Sequence, residues 1–310
     1  MLTVFYSHNF LNHDTGPGHP ERADRLRACI EILEHCDFAN QLQWKSPRFA
    51  TEEELKWIHT DEHIERIKKI CDSGGGNLDA DTLVCMESYA VAKQSAGAWL
   101  DGVEEVINQN SSLILSRPPG HHAEMNRAMG FCLFSNAALG AIYALKKNKI
   151  HKVCIFDWDV HHGNGTQNIV QSNPNIYYVS MHQFPFYPGT GAQTETGEHN
   201  NVLNIPLPER TGSSYYRKKF NEVVIPFIQE SNSNILIISA GFDAHHRDPL
   251  AAINLQTEDF AYMTRKLREI HPNLLIGLEG GYDLQTIGEC CEAVAKVFID
   301  DIILESVKLI

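Results

Sequence analysis

Short apolar runs rich in β-branched residues alternate with longer amphipathic stretches along the whole chain. The runs at 2–6, 113–116, 153–157, 176–181, 202–205, 235–239 and 274–278 predict strands. Helical spacing of apolar positions appears near 20–36, 61–72, 86–108, 134–148, 213–230, 257–270 and 283–300. Ile235-Leu236-Ile237-Ile238 is apolar on both faces, the pattern of a buried parallel strand. The alternation predicts an α/β fold with a parallel sheet and right-handed crossovers. No repeat, low-complexity tract or Pro/Ser-rich linker interrupts it, so residues 1–310 are expected to form a single domain.

The polar residues are placed unevenly on this pattern. Strand 153–157 runs into Asp157-Trp158-Asp159-Val160-His161-His162-Gly163-Asn164-Gly165, which leads into a helix. The strand at 113–116 precedes Arg117-Pro118-Pro119-Gly120-His121-His122, and 176–181 precedes His182 to Gly191. The run 235–239 ends at Gly241-Phe242-Asp243, and 274–278 ends at Glu279-Gly280-Gly281-Tyr282. Carboxyl ends of parallel strands are where open α/β sheets bind ligands, so these segments define an expected active-site edge.

Asp157, Asp159 and His161 are two apart, so on an extended backbone they point to one face. Two carboxylates and an imidazole buried together are costly unless a divalent metal relieves them. Asp159, His161 and Asp243 are the expected ligands, leaving positions open for water and substrate. Such mixed O/N ligation suits Zn²⁺, and also Fe²⁺, Co²⁺ or Mn²⁺. One of His121 and His122 can serve as general base on a metal-activated water, with Asp157 orienting His121 and Asn164 holding His122. Tyr282, after two glycines, can donate to a developing oxyanion. Phe131 and Tyr187 are candidates for the walls of an apolar slot.

Composition narrows the classes. Hydrophobic residues make up 43% of the chain, enough for a large core. No apolar run reaches the roughly 18 residues needed to span a bilayer, and no signal-peptide pattern opens the chain, so a cytoplasmic protein without a membrane role is expected. The 8 cysteines show no C-x-x-C spacing, and Cys132, Cys154, Cys290 and Cys291 read as buried free thiols. A net charge of −13 disfavours direct nucleic-acid binding and favours cationic substrates. The cluster Lys146-Lys147-Asn148-Lys149 with Lys152 reads as a solvated helix end.

Taken together, Arg117 to Ala123, Gly130 to Cys132, Asp157 to Gly165, Pro188 to Gly191, Gly241 to Ala244 and Glu279 to Tyr282 strongly resemble the zinc-dependent histone deacetylase family, which includes acetylpolyamine amidohydrolases. Gly16 to Arg22 is similar to that family's His-Pro-Glu-Arg segment. Asn164 and Leu278 to Tyr282 look like its class II branch. The resemblance implies the arginase/deacetylase fold, a mostly parallel eight-stranded sheet flanked by helices. It implies zinc on Asp159, His161 and Asp243, with His122 as general base and acid and His121 as its electrostatic partner. Tyr282 would polarise the acyl carbonyl, beside the Gly280-Gly281 turn, and Gly130 would accept the substrate amide N–H. A potassium ion would be held by Asp157, Asp159, His161, Ser180 and Met181. Arg22 would line an internal acetate channel. Asp79, in preference to Asp81, would grip the substrate backbone.

The expected reaction is removal of acetyl or another acyl group from lysine in a protein or peptide, with acetylated polyamines as the alternative substrates. A two-metal ureohydrolase would need further strand-end Asp ligands, which the sequence lacks. A catalytically silent acyl-lysine binding module would be expected to have lost a ligand or Tyr282.

Overall fold

The computed structural model describes the backbone of residues 2–308 and the side chains of residues 2–300. Ten strands are present among these: β1 (Leu2–Phe5), β2 (Leu42–Lys45), β3 (Gly75–Asn77), β4 (Leu83–Cys85), β5 (Ser111–Ile114), β6 (Val153–Asp157), β7 (Ile176–Gln183), β8 (Val202–Leu207), β9 (Ile235–Ala240) and β10 (Leu275–Leu278). Ten α-helices accompany them: α1 (Asp24–His35), α2 (Glu52–Leu55), α3 (Asp61–Asp72), α4 (Ser88–Ile107), α5 (Asn136–Leu145), α6 (Asn164–Val170), α7 (Ser213–Lys219), α8 (Ile225–Ser231), α9 (Thr257–Ile270) and α10 (Leu284–Lys308).

Eight strands form one sheet in the order β2-β1-β5-β10-β9-β6-β7-β8, every neighbouring pair parallel. The central strands β5, β6, β9 and β10 are buried along their whole length. That requires cover on both faces and explains their unbroken apolar runs. Helices α4 and α5 pack on each other and over β5, β6, β9 and β10, while α1, α9 and α10 form a second packed group. The register aligns the strand ends: Gly277 pairs with Ile114, Leu278 with Ala240, and Asp157 with both Ser239 and Ser180. Five connections therefore leave the sheet at one level, which gathers the polar segments after β5, β6, β7, β9 and β10.

Helices α3 and α9 have the boundaries that their apolar spacing predicts. Both begin on side-chain caps, Thr60 accepting from His63 N and Gln256 forming a capping box with Asp259. Two predictions are corrected. The strand expected at 113–116 is 111–114, because Ser111 and Ser112 bury their hydroxyls on the backbone groups Leu274 N and Gly102 O. The helix expected over 213–230 is interrupted by a π-helical turn at Phe220–Val224, and Pro226, which has no N–H to donate, sits in the first turn of α8. The edge strand β2 and the antiparallel hairpin β3–β4 are additional elements.

All eight cysteines are free, and Cys132, Cys154, Cys290 and Cys291 are buried. Among the described residues no helix is long and apolar enough to cross a membrane.

Candidate active site

Beyond Asp157 the chain does not stay extended. Asp157 Oδ1 accepts from Asp159 N at 3.1 Å, and Asp159 Oδ1 accepts from His161 N at 2.9 Å. Two successive Asx turns thus replace the alternation expected there and coil the segment back over the strand ends. Asp159 Oδ2 also accepts from Gly280 N at 2.8 Å, and Asp243 Oδ1 accepts from Val160 N at 2.9 Å. His161 Nδ1 lies 3.2 Å from Asp159 Oδ1 and 3.1 Å from Asp243 Oδ2. The backbone passes so close at Gly280 that a Cβ there would lie 2.2 Å from Asp243 Oδ2.

Asp159, His161 and Asp243 are buried, and one ligand atom from each lies within 4.8 Å of the others. Among the described residues no Lys or Arg pairs with Asp157, Asp159 or Asp243, all of which are fully buried. Burial, despite the facing His121, pushes the Asp157 carboxyl up, and burial beside Asp159 pushes Asp243 up. Burial opposes ionisation of Asp159 too, but His121 and His161 outweigh it and hold that carboxyl low. Excess buried negative charge with convergent O and N donors fits a divalent cation. A second buried group, His121, Cys132 and Glu279, also clusters. Its carboxylate already accepts three hydrogen bonds, from Gly120 N and His121 N at Oε2 and from Ser239 Oγ at Oε1.

The two adjacent histidines have opposite electrostatics. Burial works against protonating His121, yet Asp159 and Asp157 win and raise its pKa well above the ordinary value; Asp157 Oδ2 is 3.1 Å from its Nδ1. His122 is lowered well below it, by burial first and then by His121 and His161. Asn164 Nδ2 donates to Glu124 Oε1 at 2.8 Å, which turns Asn164 Oδ1 toward His122 Nδ1, also at 2.8 Å. His122 is thereby held as the Nδ1–H tautomer, with a lone pair on Nε2.

A cavity of about 190 Å³ opens onto this centre, lined by Asp81, His122, Gly130, Phe131, His161, Phe186, Tyr187, Leu250 and Tyr282. Phe186 stacks on His161 at 5.4 Å, and Tyr187 meets His122 edge-on at 5.1 Å. Gly130 has φ +54°, and a Cβ there would come within 2.4 Å of His122 Cδ2, so glycine is required where the chain crosses the imidazole. The arrangement is an apolar slot ending at two imidazoles with opposite pKa shifts and a triad whose donors fit a cation.

Residues 19–298 match the histone deacetylase domain family. The chain belongs to that family. A probable deacetylase of Methanothermobacter thermautotrophicus is 35% identical over 91% of this chain and 85% of its own length. A histone deacetylase-like amidohydrolase of Pseudomonas aeruginosa is 34% identical over 90% of this chain and 76% of its own. The crystal structure of the HDA15 HD domain superposes with a TM-score of 0.92 at 35% identity, covering 96% of this chain and 90% of that one. The protein is therefore a histone deacetylase-family hydrolase with the arginase/deacetylase fold, and the family is generally metal-dependent.

Within this deacetylase fold several residues stand elsewhere than the sequence suggests. Arg22 lines no interior channel: its side chain is 47% exposed and pairs with Asp24 at 3.4 Å. The buried arginine of that segment is Arg25, which donates to Gly281 O at 2.6 Å and to Glu21 Oε1 at 2.9 Å and lies 5.0 Å from the Tyr282 ring centroid. Asp79 is drawn aside by Arg127 at 2.8 Å, leaving Asp81 as the carboxylate on the cavity. Gly280 and Gly281 do not line the cavity, because their backbone groups serve Asp159 and Arg25. Ser180 is the register partner of Asp157 and its Oγ is 2.9 Å from His182 Nδ1, with buried Met181 next to it on β7. Sequence reasoning missed Phe186 and Leu250, though Phe186 sits in the same Phe-Pro-Phe-Tyr run as Tyr187.

Proposed function

We propose that this hydrolase removes acetyl or a related acyl group from the ε-amino group of lysine in a peptide or protein. The observation that carries the reading is geometric: His121 on Asp157 and His122 on Asn164 stand beside the Asp159–His161–Asp243 triad at the floor of an apolar slot. Asp159, His161 and Asp243 would hold zinc, which would supply Lewis acidity to the acyl carbonyl and make the attacking water more acidic. His122 takes the proton of the attacking water at Nε2, and His121, held cationic by Asp157 and Asp159, stabilises the negative charge that develops. The Tyr282 hydroxyl donates to the oxyanion, and Gly130, whose backbone lies against His122, accepts the amide N–H. The imidazole pair then protonates the departing amine. Phe131, Phe186, Tyr187 and Leu250 enclose the methylene chain, and Asp81 on the cavity grips the polar backbone of the substrate. Asp157, Asp159, His161, Ser180 and Met181 would hold the potassium ion that the family resemblance implies.

Acetylated polyamines are the second reading, favoured by the net charge of −13 and by the exposed Asp81 carboxylate. A release assay on the zinc-loaded protein tests both, comparing acetyl-lysine peptides, longer acyl-lysines and acetylated polyamines. Acetyl-lysine is expected to turn over fastest, with Tyr282→Phe slowing kcat by about 10²-fold. Equal turnover by Asp159→Asn and wild type would sink the proposal.

A further inference from the structure

Tyr282 follows two glycines, with Gly281 at φ +112°, and its hydroxyl makes no hydrogen bond among the described residues. Gly280 N and Gly281 O are held by Asp159 and Arg25. The amide of Tyr282 itself is held from another loop. Asp248, only 6% exposed and in the connection after β9, accepts from Tyr282 N through Oδ2 at 2.6 Å. The amide of Asp283 donates to the same carboxylate. Its Oδ1 accepts from Leu250 N at 2.9 Å, and its own amide donates to His245 O. One buried carboxylate thus ties Tyr282 to Leu250, both of which line the cavity, without lining the cavity itself.

We propose that Asp248 is a positioning residue that acts through Tyr282: by bracing two loops at their amides it sets where the Tyr282 hydroxyl meets the substrate carbonyl. This rests on the reading of Tyr282 as oxyanion donor. Both carboxylate oxygens face N–H donors, so an isosteric carboxamide must turn an NH₂ toward one of them. Asp248→Asn therefore keeps the shape and breaks one arm.

The test is a kinetic double-mutant cycle on an acetyl-lysine peptide with zinc-loaded wild type, Asp248→Asn, Tyr282→Phe and the double variant. Asp248→Asn is expected to lower kcat about 10- to 100-fold with KM within about threefold, and the double variant to be no slower than Tyr282→Phe alone, within about threefold. A purely structural role would not produce that non-additivity. Multiplying losses, a loss confined to KM, or wild-type kcat in Asp248→Asn would each overturn the role of Asp248 while leaving Tyr282 as donor. Wild-type kcat in Tyr282→Phe would overturn both. Circular dichroism and thermal melts establish folding, and if Asp248→Asn does not fold, Asp248→Ser, which keeps a hydroxyl acceptor and adds no N–H, carries the same expectations.

Discussion

Two clusters of buried carboxylate lie beneath this sheet edge, and they are neutralised differently. Glu21 is met by two guanidiniums of the same chain: Arg25 at 2.9 Å, and Arg117 at 2.5 Å through Nε and 2.7 Å through Nη2, all fully buried. Burial alone would raise its pKa, but Arg117 and Arg25 pull it down to about 2. Asp157, Asp159 and Asp243 are as deeply buried, and among the described residues the only basic side chains that meet them are imidazoles. The first cluster is complete when the chain folds. The second has no such partner of its own, and it is where we place the metal ion.

Breaking the closed cluster should have the largest effect. Glu21→Ala strands two buried guanidiniums and is expected to cost about 3–5 kcal/mol of stability, read as a fall in denaturant midpoint that added zinc does not restore. The open cluster should behave in the opposite sense. Removing metal from wild type with a chelator is expected to lower the melting temperature, with about 2.7 kcal/mol of stabilisation regained at zinc a hundredfold above its Kd. Asp159→Asn should show almost no such response, and an equal response there would undo the contrast.

Acid sharpens the comparison further. The folded-state pKa of Glu21 is depressed from the usual 4.5 to about 2, so its contribution is fully present above pH 4.5 and is lost as pH falls toward 2. Urea midpoints measured across that window should fall for wild type and fall less for Glu21→Gln. The smallest expected effect lies beside the open cluster. Asn164→Asp places a carboxylate on His122 Nδ1 and raises that imidazole's pKa. Since His122 must be neutral to accept a proton, the acidic limb of the pH–rate profile should move to higher pH. An unmoved limb would remove His122 as the base.

Much of the sheet edge was readable because each polar segment directly follows an apolar run, so Asp157, Asp159, Asp243, His121 and Tyr282 could be assigned to one level without knowing the strand order. The helices with a clean amphipathic period and a side-chain cap, α3 and α9, were equally plain. What escaped depends on contacts far apart in sequence. Nothing local marks Arg25 rather than Arg22 as the buried arginine; its partners Glu279 O and Gly281 O lie some 250 residues away. Asp79 and Asp81 differ only in that Arg127 captures one of them. Strand β2 is four residues of mixed polarity at a sheet edge, too short for a period to show. Asp248 carries no pattern at all until the loops after β9 and β10 are seen side by side.

The most direct measurement is acetate release from an acetyl-lysine peptide by chelator-stripped protein during titration with zinc. The open cluster predicts no release from the stripped protein and full recovery at one equivalent per chain. Release that survives stripping, or recovery that requires two equivalents, would contradict it.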